Sequence, residues 1–390
     1  MSGIATRVQL PRADGSLAPY QLGPASTFQR PTGPLRSRVA FAAAHVVADP
    51  LAENIPGGPA HLDWEVTLAY RRHLWSWGLG VAEAMDTAQR GRGLDWPAAA
   101  ELIRRSLLEA KASGGSVVAG AGTDHLVPGA ARTIDEVAAA YEEQCAVVEA
   151  EGGRVVLMAS RELARLATGP EDYDRVYGRV LGALREPVII HWLGDMFDPA
   201  LAGYWGDADL DRATASCLAI IHANAGHVDG IKVSLLDERR EVEMRRRLPP
   251  GVRLFTGDDF NFPTLIAGDE RGHSDALLGI FDAIAPAASA ALQALDAGDT
   301  GRYREILEPT IALSRHIFRA PTFHYKTGIV FLAYLNGHQR HFRMIGGEEG
   351  MRSVLHLAEL FTLADRAHLF ADPELAGERM RRLLLLAGVD

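Results

Sequence analysis

Lys232 stands in the segment DGIKVSLL, between Ile231 and Val233, in a run that is otherwise apolar. Lysine is seldom buried without a partner, so this position asks for a reason. A salt bridge across the core is one, since buried ion pairs do occur. The other is chemical: desolvation lowers the pKa of the amine, leaves part of it unprotonated, and lets it attack a carbonyl carbon to form an imine. His191 interrupts PVIIHWL in the same way. It is either a core imidazole satisfied by a backbone carbonyl or, if it faces the same space as Lys232, a proton shuttle for carbinolamine and enamine steps.

Further polar residues lie at or near the ends of other short apolar runs: His45, Glu83, Asp86, Asp195, His273 and the pair Asp258–Asp259 in TGDDFNF. These are candidates for binding a polar substrate. Of the aspartate pair, Asp258 lies nearer the apolar run and is the expected functional member, with its neighbour left to cap or turn the chain. On the imine reading no cofactor or metal is required, because the covalent imine on Lys232 is itself the electron sink. Two other readings stand beside it. Glu83, Asp86, His191, Asp258 and His273 are residue types that ligate Mg²⁺, Mn²⁺ or Zn²⁺ in a sugar isomerase or a class II aldolase. Alternatively, the chain is a non-catalytic protein that binds a sugar-like ligand. His222 and His227, five apart at a helix end, share no face and make a poor metal pair. HYKTG (324–328) and HQRHF (338–342) fall in a helical region and are read as packing or interface residues.

The elements that must position these residues are legible from periodicity. Eight short apolar runs, of the kind that form strands buried on both faces, alternate with longer amphipathic segments. The runs are VAFAAAH (39–45), WGLGVAEA (77–84), SVVAGAG (116–122), RVVLMAS (154–160), PVIIHWL (187–193), DGIKVSL (229–235), VRLFTGD (252–258) and DALLGIF (275–281). Between them, one helix opens at Asp95 with Pro97 in its first turn, and another opens with the capping box Thr133-x-x-Glu136. Repeated strand–helix units without a break in composition point to a closed (β/α)8 TIM barrel over residues 38–286. An open doubly wound sheet is the alternative, but no GxGxxG opens a helix after the first strand. Residues 1–37, rich in Pro, Gly and Ser, read as an extended arm with a short hairpin at ADGS. Residues 287–390 read as a C-terminal helical appendix packed on the barrel or on another subunit. In such a barrel the chemistry gathers at the C-terminal ends of the strands, where most of these polar residues fall.

Bulk properties narrow the partners. The net charge is −10 and no basic stretch is interleaved with aromatics, which argues against nucleic acid. The densest basic segment, RREVEMRRRLPP (239–250), carries acids among its arginines and reads as the solvated face of a helix. No apolar run approaches the roughly 20 residues that span a bilayer, and MSGIATRVQLPRADGS holds no apolar signal core. Two cysteines without CxxC spacing fit a reducing compartment. The expectation is a soluble cytoplasmic protein acting on a small molecule.

On these residues the chain resembles the dihydrodipicolinate synthase and N-acetylneuraminate lyase superfamily. VDGIKVSLLD (228–237) is similar to the superfamily's strand bearing the Schiff-base lysine. VRLFTGDD (252–259), GHSDALLGIFDAIAPAASAAL (272–292) and SVVAGAGT (116–123) resemble further segments in the same order. The resemblance implies a class I aldolase or lyase acting on a keto acid or keto-sugar, with Lys232 as nucleophile, and a homo-oligomer, dimer or tetramer. It also implies two exchanges. Where the superfamily carries a Gly-Thr-Thr-Gly-Glu segment after its second strand, this chain has Gly80-Val81-Ala82-Glu83-Ala84. Where it carries a catalytic tyrosine on the fifth, this chain has His191-Trp192. Both hydroxyl sources are thus expected to be missing.

Overall fold

The computed structural model describes residues 6–389. Strands β1 (Arg7–Pro11) and β2 (Leu17–Gln21) form an antiparallel hairpin that turns at residues 13–16, the ADGS segment. Eight further strands follow: β3 (Ala40–Ala43), β4 (Gly80–Glu83), β5 (Val117–Ala121), β6 (Arg154–Leu157), β7 (Val188–Leu193), β8 (Val228–Ser234), β9 (Arg253–Thr256) and β10 (Asp275–Leu278). All eight pair in parallel and close into a barrel in sequence order, β10 joining β3. Seven lie within the apolar runs read from the sequence and β8 begins one residue before its run, and the (β/α)8 barrel with its C-terminal helices is the observed fold.

Both faces of these strands are buried, but in different company. Phe41, Ala43, Ala82, Val118, Val156, Ile189, Phe255 and Leu277 pack inside the barrel with Met85 and Met158. The alternate positions, such as Ala42, Val81, Ala119, Ile190, Ile231 and Leu254, pack outward against the ring of helices. Side-chain direction alternates along a strand. His191 therefore points inward with Ile189, and Lys232 points inward beside it, since the two are register partners and Lys232 also pairs with Phe255.

The same parity sends Glu83 outward, because its neighbour Ala82 is an interior residue. Glu83 receives a two-pronged ion pair from Arg71 of the helix Trp64–Ser76, at 2.9 Å (Nε–Oε2) and 2.8 Å (Nη2–Oε1). Ser106 Oγ of the helix Trp96–Ser113 donates to Glu83 at 2.6 Å, and the Ala84 amide at 2.9 Å. Both side chains of the pair are fully buried. Glu83 is thus a clamp between β4 and two outer helices, not a residue at the barrel mouth.

Beyond β10 the chain is helical, and it is tied to the barrel at several points. Ser314 Oγ donates to the Asp259 carbonyl, Tyr303 donates to the Pro263 carbonyl at 2.8 Å, and Gln339 Oε1 lies 3.2 Å from His45 Nε2. The hairpin packs on the C-terminal helices. Tyr20 donates to Asp365 at 2.7 Å, and Gly377 of the helix Pro373–Leu386 lies so close to Thr6 and Val8 that a Cβ there would meet Thr6 at 2.6 Å. Among the described residues no helix is long and apolar enough to cross a membrane.

Removing one partner of a satisfied buried ion pair strands the other charge, at a cost of about 3–5 kcal/mol. Glu83→Ala is therefore expected to lower unfolding stability by about that amount in urea denaturation. Conservation of stability in that variant would contradict the clamp.

Candidate active site

Lys232 lies at the C-terminal end of the barrel interior, 6% exposed. Its ammonium end enters a small chamber that also contains Ser234, Asp86, Thr87, Asp259 and Tyr325. The free space there is about 10 Å³, room for roughly one water. Gly257 makes the placement of Lys232 sterically feasible: a Cβ at that position would stand 2.8 Å from Lys232 Cε and 2.2 Å from Ser234 Oγ. Burial lowers the pKa of Lys232 below the ordinary lysine value, while the charges of Asp86 and Asp259 act to raise it. Asp259 is pushed up to about 7, chiefly by burial, against the hydrogen bond from the Ile280 amide and the attraction of Lys232.

Two hydroxyls close the chamber. Thr87 Oγ1 and Tyr325 Oη are 2.9 Å apart and both side chains are buried. Thr87 sits on the short 3₁₀ turn Asp86–Ala88 that follows β4. The loop carrying it is anchored by Arg90, which donates to both oxygens of Asp124 at 2.6 and 2.7 Å and to Gln144 at 2.6 Å. Tyr325 opens the helix Tyr325–Leu335 of the C-terminal region and stacks on Phe318 with ring centroids 4.4 Å apart. A Cβ on Gly279 would stand 3.2 Å from its ring, so the small residue at the end of β10 allows the close approach.

His191 links this chamber to a larger one. Its Nε2 lies 3.2 Å from Ser234 Oγ, and its buried Nδ1 has no hydrogen-bond partner among the described residues. Burial first, and then the charge of Lys232, hold its pKa well below that of a free histidine, so the ring is neutral at pH 7. The larger cavity holds about 270 Å³ and is lined by His191, Thr123, Asp124, Ser160 and Arg161 among others. Asp86 and Leu193 border both spaces. The two spaces are therefore neighbours.

A sequence profile described as protein of unknown function (DUF993) matches residues 8–389. The chain belongs to the DUF993 family. No curated protein matches it by sequence. By structure, this DUF993 chain is similar to YagE, a prophage protein of the dihydrodipicolinic acid synthase family from E. coli K12 solved in complex with pyruvate. The TM-score is 0.65 at 15% identity, over 85% of this chain and 99% of that one. It is also similar to dihydrodipicolinate synthase from Aquifex aeolicus, with TM-score 0.64 and 14% identity over 85% and 98% of the two chains. A third is a dihydrodipicolinate synthetase structure from Pseudomonas aeruginosa, with TM-score 0.62 and 16% identity over 83% and 99%. At these identities the likeness establishes a shared fold.

Of the site residues expected from sequence, the DUF993 structure brings Lys232, His191 and Asp86 together. The others lie elsewhere. Glu83 is spent on Arg71. His45 is fully buried, with Nδ1 2.9 Å from Asp282 and Nε2 on Gln339, and lines neither cavity. Asp195 is exposed beyond the end of β7. Asp258, not Asp259, is the turn residue: its carboxylate accepts from the amides of Phe260 and Asn261 at 2.8 and 3.0 Å. His273 precedes β10 and so belongs to the opposite end of the barrel, exposed in the loop. Of the five residues considered as metal ligands only Asp86 and His191 border one space, and among the described residues no three His, Cys, Asp or Glu side chains converge as a metal cluster would.

Three functional candidates escaped the sequence. Asp259, expected only to cap or turn the chain, lines the chamber with Lys232. Thr87 lies four residues past Glu83, outside the 80–84 segment that lacks both threonines, and places a hydroxyl at the chamber. Tyr325 lies in HYKTG, read as packing. The signal for Thr87 was local: the loop between Glu83 and the Asp95 cap is long enough to fold back over the strand ends. Nothing local marked Tyr325.

Both Asp86 and Asp259 raise the pKa of Lys232, so replacing either carboxylate lowers it further. Asp86→Asn should move the pH dependence of Lys232 carbamylation by cyanate to lower pH by about one unit. Asp259→Asn should do so only above pH of about 7, where Asp259 is ionised. Peptide mapping of modification rates against pH reads this, and a shift to higher pH would contradict the assignment.

Proposed function

We propose that this DUF993 protein is a Schiff-base lyase of the class I aldolase type, acting on a keto acid or keto-sugar. The observation that carries the reading is Lys232. It is a desolvated amine at the C-terminal end of a barrel interior, beside a neutral imidazole and a hydroxyl pair, with no acid within 4 Å among the described residues. A structural lysine would be paired; this one is held by longer-range attraction to Asp86 and Asp259. The barrel shared with dihydrodipicolinate synthase structures supports the same reading as analogy of fold.

The chemistry follows from the groups present. The unprotonated Nζ attacks the carbonyl carbon, and the carbonyl oxygen takes up a proton as the carbinolamine forms. Protonation of that hydroxyl and loss of water give the iminium. The iminium carbon then accepts the electron pair released when a neighbouring C–C or C–H bond breaks, leaving an enamine. Protonation of the enamine carbon and hydrolysis return the ketone and the free amine. His191, neutral and with Nδ1 unengaged, is suited to accept and return the proton at carbon. The Thr87–Tyr325 pair is suited to serve the oxygen of the carbinolamine, since one hydroxyl can donate to it while accepting from the other. Water exclusion comes from the burial of the whole chamber, which also strengthens each of these interactions.

Borohydride in the presence of pyruvate, dihydroxyacetone and a series of keto-sugars should leave a reduced adduct on Lys232, located by intact mass and peptide mapping. Lys232→Ala should abolish it. For a ligand that is trapped, exchange of its α-hydrogens in D₂O should slow about 100-fold in His191→Asn. Absence of an adduct with every carbonyl, or full turnover by Lys232→Ala, would overturn the mechanism.

A further inference from the structure

The charged groups that line the open 270 Å³ cavity are engaged with one another, Asp86 excepted. Asp124 pairs with Arg90 and Asp198 with Arg161, at 2.6 and 2.5 Å, and all four line the cavity. Glu162, also at its wall, pairs with Arg165 at 2.6 Å. All five N–H donors of Arg90 are committed: to both Asp124 oxygens, to Gln144, and to the carbonyls of Ala84 and Gly120. Asp86, half-buried on the turn after β4, is left over. Among the described residues its carboxylate accepts no hydrogen bond, and no cation stands within 4 Å of it. Lys232 feels its charge at longer range. What Asp86 lacks is hydrogen-bond donors.

Two hydroxyls line the same cavity. Thr123, past β5, and Ser160, past β6, are buried with their oxygens 2.6 Å apart. Ser160 Oγ also accepts from the Leu163 amide at 3.0 Å. The pair owns two protons and makes one bond between its members, so whichever donates, one proton has no acceptor among the described residues. A hydroxyl on a ligand can take that proton, and another can give its own to Asp86. An anion has no proton to give and is repelled by the carboxylate.

We infer that the open cavity takes an uncharged, polyhydroxylated chain of the substrate. Asp86, which borders both spaces, accepts a hydroxyl of that chain nearer the carbonyl, and the Thr123–Ser160 pair serves one farther along. This rests on the Schiff-base reading for the carbonyl end, whereas the hydroxyl end stands on the lining of the cavity. The substrate class becomes a neutral polyhydroxy ketone rather than a ketone with an acidic tail.

The test compares ketones that differ in the chain: erythrulose, 2-butanone and 4-oxopentanoate. Each is trapped on Lys232 with borohydride and referred to its capture by Nα-acetyllysine, which cancels intrinsic reactivity. The half-saturating concentration should be at least about tenfold lower for erythrulose than for either of the others. In Asp86→Ala the advantage over 2-butanone should fall to about one, and in Thr123→Val it should fall in part. Equal capture of erythrulose and 2-butanone by the wild-type protein, or an advantage untouched by Asp86→Ala, overturns the subsite while leaving the imine mechanism standing. Preferred capture of 4-oxopentanoate overturns it too. So does tighter capture of aminoacetone than of hydroxyacetone, because Asp86 would then be pairing a cation. If no carbonyl is trapped at all, the Schiff-base reading falls and the subsite is judged by calorimetry with xylitol and xylonate. Xylitol binding that is at least about tenfold tighter than that of xylonate, and weakened in Asp86→Ala, upholds it. Absence of xylitol binding, or tighter binding of xylonate, overturns it.

Discussion

A closed parallel barrel leaves an inward side chain nowhere to go except the interior or one of its two mouths. That constraint governs everything at this site. Its interior is filled by Phe41, Val118, Val156, Ile189, Phe255 and Leu277, so the charged end of Lys232 cannot find water from below. It can only reach upward past Gly257, into a chamber too small for bulk solvent. Desolvation of the amine is therefore a consequence of packing, and the two carboxylates nearby moderate it without forming a contact ion pair. The alternation that turns Lys232 and His191 inward turns Glu83 outward, where the same burial is met by a complete ion pair.

The mouth is built by two parts of the chain that are far apart in sequence. The loop after β4 supplies Asp86 and Thr87, held down by the Arg90–Asp124–Gln144 network. The C-terminal helices supply Tyr325 and are fastened to the barrel through Ser314, Tyr303 and Gln339. The helical region is thus part of the site's wall. It brings a phenol into contact with Thr87. Its stacked pair, Phe318 and Tyr325, sets the phenol in a fixed place rather than on a loose loop. Preorganisation of that kind is what a proton-transfer site requires.

Much of the barrel was legible because its signal is local. Strands buried on both faces must be apolar throughout, and helices between them must be amphipathic, so the alternation of the two patterns states the fold. The lysine was legible for the same reason, as a cation in a run where every neighbour is apolar. Parity within β4 would have set Glu83 aside: strand residues alternate, and Ala82 and Glu83 cannot both face the interior.

What the amino-acid sequence determined by itself was the set of strands, their parallel closure, and the oddity of Lys232 and His191 within them. Tertiary structure decided the rest. Asp258 and Asp259 are chemically identical neighbours, and only the path of the backbone after β9 gives one to the turn and the other to the lysine. His273 has a suitable side chain at the wrong end of its strand. Tyr325 meets Thr87 across 238 residues of chain. No periodicity encodes a contact of that span, because it depends on where a whole helix docks, and docking is settled by the complementarity of surfaces brought together from the entire chain.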